Sequence, residues 1–320
     1  MKKTLRPLIV LLVLAALVPA ASAESLFHVA WGKGAGQIGY YNASTPGFDQ
    51  PYCEGPGGVA LGANGEIWIS DQFNDRILVY GHDGKFLRAV DQIGGQKIVR
   101  PKSLWLDGGK EMIVLSGKSN TLLRYDIKAG TVNQIGSTGG GAGQLRQPEL
   151  LGISADRVCV EDDWKSELVC FARNGSGAVR QPWVLGGLGV DGAGGLYTLE
   201  FREQGGSSSY ELISTGTDGK KVDHFQLKSP AGESGGDLSS PQLLGLDASG
   251  NAMVKFLRKS SKKAVLVRYD AKGDAGKILG ELPVEIEKQA YAMTPDGGIL
   301  ALAFDAATAP KGGVDVVEYK

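Results

Sequence analysis

Six short turn signals recur along the chain: Asn64-Gly65, Gly108-Gly109, Ala155-Asp156, Ala193-Gly194, Ser249-Gly250 and Asp296-Gly297. Each follows a short apolar run (GVAL, SLWL, LLGI, LGV, LLGL, YAM) and precedes another (EIWIS, MIVL, VCV, GLYTL, AMVKF, ILALAF). Apolar runs of this length punctuated by Gly, Asn and Asp are strands joined by tight turns. Counted at their second residue, successive markers stand 44, 47, 38, 56 and 47 residues apart. A period of about 40–50 residues with several strands in each copy specifies a β-propeller. Six markers predict six blades.

The remaining strands fit this frame. A third strand follows in every copy: RILVY, TLLRY, ELVCF, YELIS, AVLVRY and VDVVEY. Five copies then have a turn and a fourth strand, but the sixth stops at Lys320. At the other end, Leu26–Trp31 is a strand with no blade of its own. The expected fold is therefore all-β, a six-bladed β-propeller of four-stranded antiparallel blades. Its ring is closed by the N-terminal strand, which completes the last blade and leaves no open edge at the joint. The 48 glycines among 320 residues, about twice the usual share, cluster at the predicted turns. One glycine-rich segment occurs twice, as GKGAGQI at 32–38 and GGGAGQL at 139–145.

Residues 1–23 read as a signal peptide. Lys2, Lys3 and Arg6 precede the apolar stretch Leu8–Val18, and Ala21-Ser22-Ala23 is a small-residue cleavage site. The apolar stretch is shorter than the roughly 20 residues of a membrane span, so no stable membrane insertion is expected after cleavage. Residues 24–320 then form a single propeller domain, periplasmic or secreted. Losing the three basic residues takes the chain from 34 basic against 35 acidic residues to 31 against 35, a net charge of −4. That balance, and export itself, argue against a nucleic-acid partner.

Export also permits disulfides. Cys159 and Cys170 lie in VCVEDDWKSELVCF. With Trp164-Lys165 at the centre of a hairpin turn, the two cysteines fall opposite one another. They can bridge at a close, non-hydrogen-bonded position, or stand as two small buried apolar side chains. Cys53 is left without a counterpart.

The first blade resembles an NHL repeat. It has Pro-Gly-Gly-Val-Ala at 56–60, Gly-Glu-Ile-Trp-Ile-Ser-Asp at 65–71, Asn74-Asp75-Arg76-Ile77 and His82-Asp83-Gly84-Lys85-Phe86. The two Gly-x-Gly-Gln segments belong to the same pattern. The resemblance implies an exported six-bladed NHL-type propeller and an interaction module, since such propellers most often serve as one. In this blade Asp71 and Arg76 should face each other across a hairpin as turn structure. The third blade keeps the acid, Asp162, but has Glu167 in place of the arginine. The second has Ser116 and Thr121 there.

Little in the chain announces catalysis. His28, His82 and His224 are scattered over outer strands and a turn, without zinc spacing. Glu161, Asp162 and Asp163 are consecutive rather than spaced as a calcium cage. No nucleophile elbow or phosphate loop occurs, and no cofactor is expected. With the strands of each blade labelled a to d in chain order, the expected activity is non-catalytic binding of a protein, peptide or glycan through the face built from the b–c and d–a loops. Candidate contacts there are Tyr40, Tyr41 and Tyr52, then Asp162, Asp163 and Trp164, and the basic Arg258, Lys259, Lys262 and Lys263. Aromatics with mixed charge on a rigid rim suit recognition. The long polar stretch Arg202–Ser209 should project from the same face. The alternative is a metal-dependent hydrolase or lactonase of the six-bladed type, with Glu54, Asp107 and Asp247 as metal ligands at the channel mouth.

Overall fold

The computed structural model describes residues 23–41, 54–154, 156–162, 166–182, 188–190, 195–204, 207–216, 220–230, 236–247, 249–270, 276–282, 290–304 and 312–320. Every regular element among them is a strand. They form six four-stranded antiparallel sheets, a six-bladed β-propeller, and two short two-stranded pairs in the connectors, Gln92–Ile93 with Gln96–Lys97 and Ser137–Thr138 with Gln144–Leu145. The first blade comprises Gly58–Leu61, Ile67–Asp71, Arg76–Tyr80 and Phe86–Val90, strands a to d from the axis outward. Blades two to five repeat that order. The signal segment lies outside the described residues.

The sixth blade is assembled from both ends of the chain. Its sheet runs Tyr291–Met293, Ile299–Ala303, Gly313–Tyr319 and then Ala23–Ala30. Ala23 pairs with Tyr319 and Ala30 with Gly313, with a bulge between Ser25 and Phe27. The closing strand passes so near Gly313 that a Cβ there would lie 2.0 Å from the Val29 carbonyl oxygen, so only glycine fits. Val29, Val314, Val316 and Val317 then join one apolar cluster with Ile67, Ile69 and Leu78 of the first blade. The joint between first and last blades is thus packed as core.

Burial falls from the axis outward. The b and c strands of the first blade are almost wholly buried, whereas its d strand Phe86–Val90 is mostly exposed. The cause is geometric: a middle strand has a strand on each side and a neighbouring blade on each face. Its side chains on both faces are therefore apolar. Outer strands alternate or are polar, as in Lys221–Gln226 of the fourth blade.

Strand direction fixes which loops meet. The b–c turns and d–a connectors share one face of the ring, and the a–b and c–d turns share the other. Four b–c turns end on a residue in the left-handed region, Asp75 (φ 55°), Asn120 (48°), Ser166 (50°) and Lys262 (55°). Asn and Asp tolerate that conformation, while Lys262 adopts it at a cost.

Candidate functional site

The b–c/d–a face is built around connectors that the blades hold down. In the first blade the chain turns back at 32–38: Gly32 N–H donates to Ile38 O, and Ile38 N–H to Ala30 O. Asp71, fully buried at the end of strand b, fastens this segment. Its carboxylate accepts from Gly39 N–H (2.8 Å), Asn74 Nδ2 (2.8 Å) and Arg76 Nε (2.8 Å). Arg76 Nη2 in turn donates to Gly34 O (2.9 Å) and Gln37 O (2.8 Å). Burial pushes the Asp71 carboxyl above its ordinary pKa, against the downward pull of these donors.

The third blade fastens the second copy of the segment, 139–145, with the same atoms from a different strand. Asp162 Oδ1 accepts from Arg146 N–H (3.1 Å) and Gln147 N–H (2.9 Å). Glu167 occupies the place of Arg76, opposite Asp162. The guanidinium comes instead from Arg180 on strand d, which pairs with Glu167 and reaches Asp162 Oδ2 at 3.8 Å. Its Nη2 donates to Gly141 O and Gln144 O, the counterparts of Gly34 and Gln37. The second blade uses hydroxyls there: Ser116 Oγ donates to Val99 O (3.1 Å), and Ser119 and Thr121 bond each other (2.7 Å).

Several sequence-predicted contacts are therefore part of the scaffold. Tyr40 packs on Trp31 with ring centroids 5.2 Å apart, and Tyr41 stacks on Phe73 at 4.0 Å. Both tyrosines are half-buried. Asp162 belongs to the clamp just described. Tyr52, Asp163 and Trp164 lie outside the described residues, as does Cys53.

Three of the four basic side chains of the fifth blade, Arg258, Lys259 and Lys263, have partners within the blade. Arg258 pairs with Glu281 and approaches Asp237 Oδ2 at 3.9 Å, and Lys263 binds Glu281 at 3.1 Å. Lys259 Nζ donates to Gly236 O (2.7 Å), and Lys262 N–H closes the turn on Arg258 O (2.7 Å). The lysine and arginine donors hold the Glu281 carboxyl below its ordinary value, and Ser260 does the same for Asp237.

Glu54, Asp107 and Asp247 are not brought together. Glu54 precedes the first inner strand, at the b–c/d–a end, where its backbone pairs with Tyr41. Asp107 and Asp247 end inner strands at the opposite face. Asp247 spends its carboxylate on its own turn, accepting from Ser249 N–H, Asn251 N–H and Asn251 Nδ2 at 2.8–2.9 Å. Among the described residues no three His, Cys, Asp or Glu side chains gather as a metal site.

Cys159 and Cys170 face each other in register and are joined as a disulfide. The equivalent pair in the first blade is Trp68 and Val79.

A concave site does open on the b–c/d–a face, between the fourth and fifth blades. The fourth-blade strands Leu196–Gln204 and Ser207–Thr215 are nine residues each, against five in the first blade. The matching strands of the neighbouring third and fifth blades have six and seven residues, so this hairpin is the longer by two to three residues per strand. Phe201 and Tyr210 sit opposite one another on it, ring centroids 5.3 Å apart. They form one wall of a groove of about 480 Å³, whose other walls are connector residues Gln226–Pro230 and, on the fifth blade, Leu238, Phe256 and Lys259. Phe201 is 55% exposed, unusual for so large an apolar side chain. The stretch Arg202–Ser209, expected from its polarity to be a projecting loop, instead continues both strands, with Phe201 and Tyr210 paired at its base. Their signal was present: FREQ and SSSY continue a strand on each side of Gly205-Gly206.

No protein-family model matches the chain, and no curated protein does. Among solved structures it is similar to a virginiamycin B lyase from Staphylococcus aureus, at 14% identity over 88% of this chain and 87% of that one, TM-score 0.46. It is also similar to the PQQ-bound aldose sugar dehydrogenase of Streptomyces coelicolor, at 16% identity over 94% and 99%, TM-score 0.46. A third likeness is to hydrazine synthase of Kuenenia stuttgartiensis, at 15% identity over 83% and 80%, TM-score 0.45. The six-bladed architecture stands on the strand pairing within this chain.

Proposed function

We propose that the protein is an exported, non-catalytic binding module of NHL-like type, acting in the periplasm or outside the cell without a cofactor. It takes a segment of a protein, peptide or glycan in the groove between the fourth and fifth blades, on the b–c/d–a face. The observation that carries this reading is the exposed Phe201, paired with the half-buried Tyr210, standing over a groove with polar walls. Aromatic faces hold a sugar ring or an apolar side chain, and Gln226 at the edge, with the N–H groups of Lys259 that Gly236 O does not take, supplies hydrogen bonds to hydroxyls, carbonyls or carboxylates. Connectors fastened by Asp71–Arg76 and Asp162–Arg180 give the face its rigidity, which lowers the entropy lost on binding. The resemblance of the first blade to an NHL repeat agrees with an interaction role.

The test is a screen of the mature chain on a glycan array and a random-peptide display library. Hits are then titrated calorimetrically against wild type and Phe201→Ala. The reading predicts at least one ligand whose affinity falls about ten-fold or more in the variant, as for loss of a central aromatic contact. Ligands indifferent to Phe201→Ala would place binding elsewhere.

A further inference from the structure

The opposite end of the ring holds a second concavity, of a different chemical kind. A cavity of about 490 Å³ opens on the axis at the a–b face. Each blade contributes to it from its innermost strand: Leu61, Leu106, Ile153, Val190, Leu246 and Met293. The runs that the inner strands bring to this end are apolar (GVAL, SLWL, LLGI, LGV, LLGL, YAM), with Asp107 and Asp247 directly after two of them. Their side chains are therefore apolar toward the axis as well as toward the neighbouring blade.

The wall is continuous because neighbours lean over glycines. A Cβ on Gly152 would meet Val190 Cγ2 at 2.4 Å, and one on Gly189 would meet Leu246 Cδ1 at 2.2 Å. Those two aliphatic side chains are thus drawn across the strand junctions into the lining. Trp105 forms part of it with its other face covered by Arg173, 4.6 Å from the ring centroid. Tyr291 turns its hydroxyl away to donate to Leu244 O (2.7 Å).

Two of the ionisable groups around this mouth, Glu111 and Asp247, are engaged elsewhere. Glu111 holds Arg124 and Arg173. Asp247 is committed to its turn. Among the described residues none that lines the cavity carries a charge. A charged occupant would find no counter-ion and meet a desolvation cost of several kcal/mol. The volume of the cavity lies in the range of small-molecule sites. The inner strands are sheet edges facing the axis, so backbone N–H and C=O groups are at hand for an occasional polar atom of a ligand.

We propose that this axial cavity is a binding site for a neutral, predominantly apolar small molecule, separate from the groove between the fourth and fifth blades. The occupant is a compact hydrocarbon-rich or aromatic compound with hydroxyl or carbonyl groups and no net charge.

The experiment uses two fluorescent probes on the mature protein: neutral N-phenyl-1-naphthylamine and its anionic relative 8-anilinonaphthalene-1-sulfonate. The neutral probe should bind saturably, one per chain, at least ten-fold more tightly than the sulfonate. Energy transfer from tryptophan should fall clearly in Trp105→Phe while binding persists. Ala292→Phe, which fills the cavity from the sixth blade, should weaken the neutral probe at least ten-fold, and Phe201→Ala should leave it unchanged. The proposal is overturned by an absence of saturable binding in wild type, by equal affinity for the sulfonate, or by energy transfer indifferent to Trp105→Phe. The probe comparison needs only wild type, so it decides even if Ala292→Phe fails to fold. Loss of probe binding in Phe201→Ala would assign the probe to the groove instead, and would equally sink the proposal.

Discussion

The first and third blades solve one problem with two wirings. Each must fasten a glycine-rich connector, 32–38 or 139–145, whose backbone turns back on itself and whose carbonyls need donors. In the first blade Arg76 follows Asp71 by five residues and reaches Gly34 O and Gln37 O from strand c. In the third, Arg180 arrives from strand d, eighteen residues after Asp162, and reaches Gly141 O and Gln144 O. What is held constant is the position of a guanidinium in space, not in the chain. The cost differs. Arg76 turns its Nε onto Asp71, whereas the buried Arg180 Nε has no partner, and an unmade buried hydrogen bond costs about 1–3 kcal/mol. The third blade has a covalent tie, Cys159–Cys170, where the first has Trp68 and Val79. It also has Glu167 to share the charge of Arg180.

This contrast can be broken in graded ways. Asp71→Ala should have the largest effect, about 3–5 kcal/mol in guanidinium denaturation, because it leaves the buried Gly39 N–H without an acceptor and takes the counter-charge from the half-buried Arg76. A loss under about 1 kcal/mol would mean that the first clamp is ornamental. Next, Cys159→Ala with Cys170→Ala opens an 11-residue separation and should cost about 2–3 kcal/mol, read as a lowered denaturation midpoint at unchanged slope. Arg180→Ala should cost less, about 1–2 kcal/mol. Adding Glu167→Arg to that variant restores the first-blade wiring and should recover at least half the loss. No recovery would show that the two clamps are not interchangeable.

The smallest effect concerns the fifth blade, which uses carboxylates to hold a basic turn. Asp237 and Glu281 have lowered pKa values. Their interactions are therefore intact above the ordinary values of 3.8 and 4.5 and are lost only as pH falls through the depressed ones. The Ser260 amide resonance, whose N–H donates to Asp237, should titrate with a midpoint below 3.8. A midpoint at or above that value would remove the fastening.

Much of the architecture was legible in the sequence because propeller strands are local. Each blade is a meander whose turns carry Gly, Asn or Asp, so strand count and order follow from punctuation alone. The ring closure was legible by elimination: the sixth copy lacks a fourth strand, and Leu26–Trp31 lacks companions. Contacts between strands of different spacing were not. Glu167 opposite Asp162 looked like a broken motif, because no periodicity ties Arg180 to either. Arg258, Lys259, Lys262 and Lys263 looked like a basic patch, since Asp237 and Glu281 are about 20 residues away on either side and meet them only in the folded blade. Phe201 and Tyr210 were hidden by strand length, as Ser and Gly near a hairpin tip read as loop.

The groove and the axial cavity give the two faces of the ring different surfaces, one aromatic with polar edges and one mostly apolar. The most direct test of the central claim is photo-cross-linking from the groove in cells that produce the protein. Replacement of Phe201 by p-benzoylphenylalanine should give discrete adducts on illumination. The same residue at Leu87, 43% exposed on the outer strand of the first blade, should give none of them. Adducts that compete away with the ligand found in the binding screen are the predicted result. Identical adduct patterns from both positions, or none from position 201, would contradict the account.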